Sequence, residues 1–162
     1  MAWIVEKLQR KKGDCWSTTI EALETLERRT FPKSECMDVR AELSKSSTMC
    51  WVVRPAQTIP KGHEGPSVLG TIIIQVARGG RYRIHKLSVA ERWRGQGMGG
   101  VLIDHFLSWM REQGEDRECD LFVDTARQPA ISLYTKYQFT RVRHISNYYG
   151  TDRDAWYMQL LL

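Results

Sequence analysis

The chain has 162 residues, 42% of them apolar and 27% charged, and its 24 Lys and Arg exceed its 19 Asp and Glu to leave a formal charge of +5 at pH 7. That is the length of one domain, 1–162, with enough apolar material to bury a core without metal or disulfide staples. Gly and Pro are too few for a collagen-like or disordered chain, and no apolar run approaches the ~18 residues that span a bilayer.

The opening turns charged at Glu6 and lacks the apolar region of a signal peptide. A cytoplasmic protein is expected, with the nucleus left open and no membrane partner. Trp3 to Gln9 reads as a strand. Asp14 to Thr30 reads as a helix, because Trp16, Ile20, Leu23 and Leu26 recur every three or four residues and Thr18 and Glu21 have capping-box spacing. Pro32 stops it, since the residue before a proline is driven out of the α region. A short helix is predicted over Cys36 to Leu43, then strands over Met49 to Val53 and Val68 to Val76, the second rich in β-branched Ile72, Ile73 and Ile74. Ala56 to Pro66, with its prolines and glycines, reads as a surface loop.

Gly79-Gly80 predicts a hairpin into a fourth strand, Arg81 to Val89. Gly99 to Gln113 reads as a helix, Cys119 to Val123 as a strand, and Pro129 to Tyr137 as a helix with proline in its first turn. Phe139 to Val142 and Asp154 to Leu162 read as closing strands. The order is that of one α/β domain, a mixed sheet flanked by helices. Cys15, Cys36, Cys50 and Cys119 form no Cys-x-x-Cys motif, so no metal site is expected and they read as small buried hydrophobes. The charges are scattered, apart from Arg10 to Lys12 and the arginines at 78, 81, 83, 92 and 94. No helix presents a dense basic face, which argues against nucleic acid as a partner.

The most informative segment runs from Leu87 to Gly100. A strand ends at Val89, a basic loop follows, and Gly95, Gly97, Gly99 and Gly100 open the next helix. Glycines let backbone N–H groups converge on one point, and a helix N-terminus adds about half a positive charge, so the segment suits a phosphate or pyrophosphate. Gly95-x-Gly97-x-x-Gly100 matches the dinucleotide fingerprint literally, with Asp120 at the right distance. However, Ala90 to Arg94 intervene after the strand, and too little chain follows for a doubly wound domain. A Walker loop fails, because no Gly-Lys-Ser/Thr occurs.

Arg94-x-x-Gly97-x-Gly99 after Leu87-Ser88-Val89 resembles the acetyl-CoA pyrophosphate loop of the GNAT acetyltransferase superfamily. Ala130-Ile-Ser-Leu-Tyr134 through Phe139 resembles that family's Ala…Leu-Tyr…Gly-Phe helix and turn. Asn147-Tyr148-Tyr149, followed by Asp154-Ala155 and Met158, is similar to N-terminal protein acetyltransferases, both the bacterial ribosomal-protein alanine type and the catalytic subunit of eukaryotic complex E. Phe31-Pro32 fits the same relatives. The resemblance covers about residues 80 to 162 by motif and the first half by element order.

The resemblance implies a GNAT fold, a mixed, mostly antiparallel sheet of about seven strands flanked by about four helices. It implies acetyl-CoA as co-substrate and no metal: an amine attacks the thioester carbonyl, a tetrahedral oxyanion forms, and the CoA thiolate leaves. Backbone groups of Leu87, Ser88 and Val89 would hold the pantetheine arm between splayed fourth and fifth strands. Arg94, Gly95, Gln96, Gly97, Met98, Gly99 and Gly100 would hold the pyrophosphate, and Arg127 stands where relatives often place an Asn on CoA. Tyr134 occupies the position that stabilises the leaving sulfur.

The positions at which relatives place a base fall on Arg83, which cannot act as one near neutral pH, and on Phe122, which has no proton to exchange. His85, two residues from Arg83 and so on the same strand face, remains as the candidate base. An α-amine, with a pKa of about 7.7–8.0, deprotonates far more readily than lysine at about 10.4, so a site without a strong carboxylate base favours protein or peptide N-termini. Phe31 and Pro32 would form one wall for the acceptor, and Tyr148 and Tyr149 a hairpin that closes over it. Adjacent strand residues point to opposite faces, so one of the two tyrosines is expected to face substrate. A ribosome or an auxiliary subunit is a possible further partner. A small-amine acetyltransferase, supported by His85, and a CoA-binding module docking on a larger complex are the alternatives.

Overall fold

The computed structural model describes residues 2–9, 14–56, 67–114 and 116–162. The basic run at Arg10 to Lys12 and nearly all of the loop expected over 56–66 lie outside these. The described chain forms β1 (Trp3–Lys7), α1 (Asp14–Thr30), α2 (Val39–Ser44), β2 (Thr48–Pro55), β3 (Gly70–Ala77) and β4 (Arg81–Val89), then α3 (Met98–Glu112), β5 (Glu118–Asp124), α4 (Gln128–Lys136), β6 (Thr140–Gly150) and β7 (Arg153–Leu161). Short 3-10 turns occupy Lys33–Glu35 and Glu91–Trp93.

The strands make one seven-stranded sheet in the order β1-β2-β3-β4-β5-β7-β6. Every neighbouring pair is antiparallel except β4 and β5. Strand alternation sorts the central residues to two faces. Trp51, Val53, Ile72 and Ile74 pack with Leu102, Ile103 and Phe106 of α3 and with Ile131 and Tyr134 of α4. Cys50, Val52 and Ile73 pack on the other face, with Ile20, Leu23 and Leu26 of α1 and with Val39 and Leu43 of α2. β3 is buried on both sides, which is why its isoleucines run without polar interruption. Among the described residues no helix is long and apolar enough to cross a membrane.

Several boundaries differ from the sequence expectation for local reasons. Thr18 and Glu21 are interior to α1, which has already begun at Asp14, so the capping-box spacing marks no helix start. The short helix begins at Val39 because the Asp38 side chain caps it, accepting from the Ala41 N–H at 2.9 Å, and Cys36 to Asp38 are non-helical. Cys50 and Cys119 are buried as expected, but Cys15 is exposed and Cys36 half-buried, and all four thiols are free. β6 extends to Gly150 because β7 pairs along it, and it carries Tyr148 and Tyr149 within the strand.

Candidate active site

β4 and β5 pair only from Arg81–Ile84 against Glu118–Leu121 and then part, although β4 continues to Val89 and β5 to Asp124. The split coincides with an irregularity on the other edge of β4. Ile73 pairs with Lys86 and Ile74 with Ile84, leaving His85 as an extra residue. Such a bulge kinks a strand and sharpens its twist, and here it turns the second half of β4 away from β5. The resulting wedge is a cavity of about 460 Å³. His85, Leu87, Arg127, Tyr134, Tyr148, Tyr149 and Phe31 all line it. A larger hollow of about 780 Å³ lies between α1 and Ala90–Arg94, but none of those side chains reaches it.

The glycine segment expected to hold the cofactor, Arg94 to Gly100, does not line this cavity, and what it offers is backbone. Gly97 caps α3 in the left-handed conformation at φ 84°, with no side chain satisfying the first turn, and the helical hydrogen bonds begin only at Val101 N–H to Gly97. The N–H groups of Met98, Gly99 and Gly100 therefore have no partner within the helix. Three such donors at a helix N-terminus suit an anion, so these residues fit the pyrophosphate of acetyl-CoA. Gly95 also has a positive φ, 73°.

Gly99 and Gly100 serve packing as well. A Cβ at Gly99 would lie 3.1 Å from Leu133, and one at Gly100 would lie 2.9 Å from the Tyr137 hydroxyl, which donates to the Gly100 carbonyl at 2.8 Å. Met98 is a core side chain. Arg94 donates from Nε to the Val89 carbonyl at 2.9 Å, and the Gln96 amide donates to the Arg92 carbonyl. Ser88 turns its hydroxyl into the interior, where it has no partner among the described residues, so only its backbone is open to a ligand.

The cavity itself is built from rings and ion pairs. Lys86 Nζ sits 3.1 Å from Glu27, donates to the Glu35 carbonyl at 2.7 Å and lies 3.8 Å from the centre of the Phe31 ring. The Arg127 guanidinium also lies over Phe31, at 5.0 Å, and donates to Glu35 Oε2 at 3.3 Å. Arg127, expected on the cofactor, is thus turned toward the wall that carries Phe31. Arg153 joins Glu35 and Asp124, so the turn after α1 is tied across to β5 and β7. Pro32 does not line the cavity: it is exposed, and its carbonyl accepts from Glu35 and Cys36.

Tyr148 stacks on Phe122 at 4.6 Å and 10°, and Tyr149 meets Tyr148 edge-on at 4.8 Å. Both tyrosines line the cavity, which corrects the expectation that only one would. Asn147 has a φ of 55° and the β6–β7 register breaks between Ile145 and Gly150, so strict alternation is lost there.

The titratable groups are shifted by burial. Tyr134 is buried, its hydroxyl has no hydrogen-bond partner among the described residues, and desolvation pushes its pKa well up, so it is a protonated donor at neutral pH. His85 is half-buried and desolvation lowers its pKa below 6.5, which keeps it a neutral proton acceptor at pH 7. Burial would raise the Asp124 carboxyl, but the Ala126 N–H and Arg153 hold it below its usual range.

The sequence profile of the acetyltransferase (GNAT) family matches residues 19–139. The chain belongs to this family. It is 35% identical over 75 residues to an N-alpha-acetyltransferase of Sulfolobus acidocaldarius, a stretch that is 46% of this chain and 45% of that protein. The chain thus spans somewhat less than half the length of the curated relatives it matches. Among solved structures it is similar to the ribosomal-protein-S18-alanine N-acetyltransferase from Escherichia coli, with a TM-score of 0.76, 22% identity, and 99% of this chain and 94% of that one covered. It is also similar to Arabidopsis thaliana NAA60 in complex with acetyl-CoA, with a TM-score of 0.79, 18% identity and 99% of each chain covered. At those identities the likeness establishes the GNAT fold.

Sequence reasoning missed Glu35, Lys86, Asp124 and Arg153 in this GNAT site. Glu35 follows Phe31-Pro32 closely and could have been taken with it. Nothing in the sequence marks Arg153 as a partner for Glu35 and Asp124, since the three meet only through the sheet.

Proposed function

We propose that this GNAT chain transfers the acetyl group of acetyl-CoA to the free α-amine of a protein or peptide N-terminus. The observation that carries the reading is the wedge between β4 and β5, lined by Tyr134, His85, Phe31, Tyr148 and Tyr149, taken together with the unsatisfied N–H groups at the start of α3. Acetyl-CoA supplies the thioester that the amine attacks, with the thiolate as leaving group. Leu87 and Val89, on the part of β4 freed from β5, offer backbone groups to the arm. Tyr134 donates its O–H to the departing sulfur. His85 takes the proton released from the nitrogen as the new N–C bond forms. Neutral His85 is a weak base, suited to an α-amine that is already about a tenth or more deprotonated at pH 7, and not to a lysine.

Mass spectrometry of a free-N-terminus peptide pool, spiked with spermidine, tryptamine and an N-blocked lysine peptide, tests the reading. Acetylated α-amines, lost in Tyr134→Phe, are the expected result. Product on spermidine or tryptamine alone would overturn it in favour of small-amine acetylation, the reading that His85 in the cavity also supports. No product, with acetyl-CoA still raising the melting temperature, would point to a CoA-binding module.

A further inference from the structure

Arg83 stands on β4 where it is still paired with β5, just before the strands part, and is held in one orientation. Its Nε and Nη2 donate to Asp120 Oδ1 and Oδ2 at 2.6 and 2.9 Å, a side-on bidentate pair set by the direct register of Arg83 with Asp120 across β4 and β5. The Asp120 side chain is only 7% exposed and also accepts from the Tyr157 hydroxyl at 3.1 Å, so the carboxylate cannot swing away. The guanidinium lies over the Phe122 ring at 4.8 Å, and Phe122 is itself stacked on Tyr148. The Arg83 side chain is nevertheless 41% exposed and lines the cavity. A side-on pair uses Nε and one Nη and leaves the other Nη with two N–H donors; no hydrogen bond from Nη1 is formed among the described residues.

Other ions around the cavity are bound to one another. Lys86 holds Glu27, Arg127 holds Glu35, and Arg153 holds both Glu35 and Asp124. The Arg83–Asp120 pair is different in its polarity: the negative end is buried and the positive end is partly exposed and lines the cavity. A pinned, half-exposed guanidinium with two spare donors is preorganised for a carboxylate. Arg83 lies two residues along β4 from His85, on the order of 6 Å. One extended residue spans about 3.5 Å, so an acceptor whose amine is beside His85 would present the side chain of its second residue in this neighbourhood.

We infer that Arg83 is a specificity-determining residue that selects acceptor peptides with Asp or Glu in second position. The inference rests on the N-terminal acetylation reading for the direction in which the peptide lies. In this role Arg83 replaces proton-transfer chemistry with charge recognition at its position.

Calorimetry against the CoA-loaded protein tests it with free-N-terminus peptides that differ only at the second residue, Asp against Asn and Glu against Gln, each begun with Ser and with Met. The expected result is about ten-fold tighter binding of the acidic peptides at low salt, with the difference shrinking at high salt. The difference should vanish in Arg83→Gln/Asp120→Asn, a double variant that avoids leaving Asp120 buried and unpaired. Arg83→Lys, which keeps the charge for Asp120 but not the spare donors, should reduce it. Equal binding of acidic and neutral peptides by wild type, or a preference that survives in the double variant, overturns the inference whether or not the amine is acetylated. Acetylation of the same peptides, followed in parallel, separates the two ideas. Acetylation of both peptides without acidic preference sinks the role of Arg83 alone, and acid-selective binding without α-acetylation sinks the transfer reading alone.

Discussion

The two halves of the proposed site are made of different materials. The half proposed for the cofactor consists of backbone: N–H groups at the start of α3, glycines at positive φ, and the unpaired edge of β4. The half proposed for the acceptor consists of long side chains held by ion pairs and ring contacts, from Lys86 and Phe31 through Glu35 and Arg153 to Phe122 and Tyr148. Backbone groups carry no titratable charge and survive most substitutions, so they can serve a co-substrate that does not vary. Side-chain constellations change with single residues, which is where a choice among acceptors can be encoded.

Tyr134→Phe gives the sharpest test of this division, because Tyr134 is proposed to serve the chemical step and not the binding of either substrate. The kcat for peptide should fall about 100-fold while the affinity for acetyl-CoA stays unchanged, since general-acid groups commonly contribute at least that much. An equal loss of acetyl-CoA binding would mean that the ring only shapes the wedge. Tyr148→Ala removes the ring stacked on Phe122. The expectation is an increase of about ten-fold in peptide KM, consistent with the worth of an aromatic pair and its contact area, with little change in the KM for acetyl-CoA.

Gly100→Ala probes the cofactor half from the packing side. The added Cβ would press on a Tyr137 hydroxyl that is anchored by both the Gly100 carbonyl and Asp104. A loss of about 1–2 kcal/mol is expected, seen as a melting temperature lower by a few degrees, with α3 and α4 forced slightly apart. An unchanged melting temperature would show that Tyr137 swings aside freely.

The smallest effect should be on pH dependence. Burial places the folded-state pKa of His85 below 6.5. Above 6.5 the imidazole is neutral in both folded and unfolded chains and contributes no pH dependence. As the pH falls below 6.5 the unfolded chain takes up the proton first, so stability declines toward the folded value. The kcat/KM should show an acid limb in the same window, and His85→Gln should remove both. Acetyl-CoA binding should not follow that limb, since the backbone donors do not titrate.

Much of the architecture was legible in local patterns. α1 was found to the residue from its apolar spacing, and β4 from the Gly79-Gly80 turn and the run that ends at Val89. The glycine loop, Tyr134 and the paired tyrosines were visible as motifs because each lies within a short contiguous stretch. Pro32 was placed with Phe31 for the same reason, and wrongly, since adjacency in sequence did not give both side chains access to the cavity.

The sequence by itself determined the order of elements, the glycine-rich start of α3 and the family. These depend on propensity, periodicity and backbone freedom, which act over a few residues. The tertiary structure decided how β4 and β5 part at the His85 bulge, that both Tyr148 and Tyr149 line the cavity, and that Arg127 faces Phe31 and Glu35. It also decided that Arg83 and Asp120 lock together. Each of these joins groups far apart in the chain, across strands or between the two faces of the sheet, and Coulomb attraction and ring stacking select partners by distance in space, which no local pattern records.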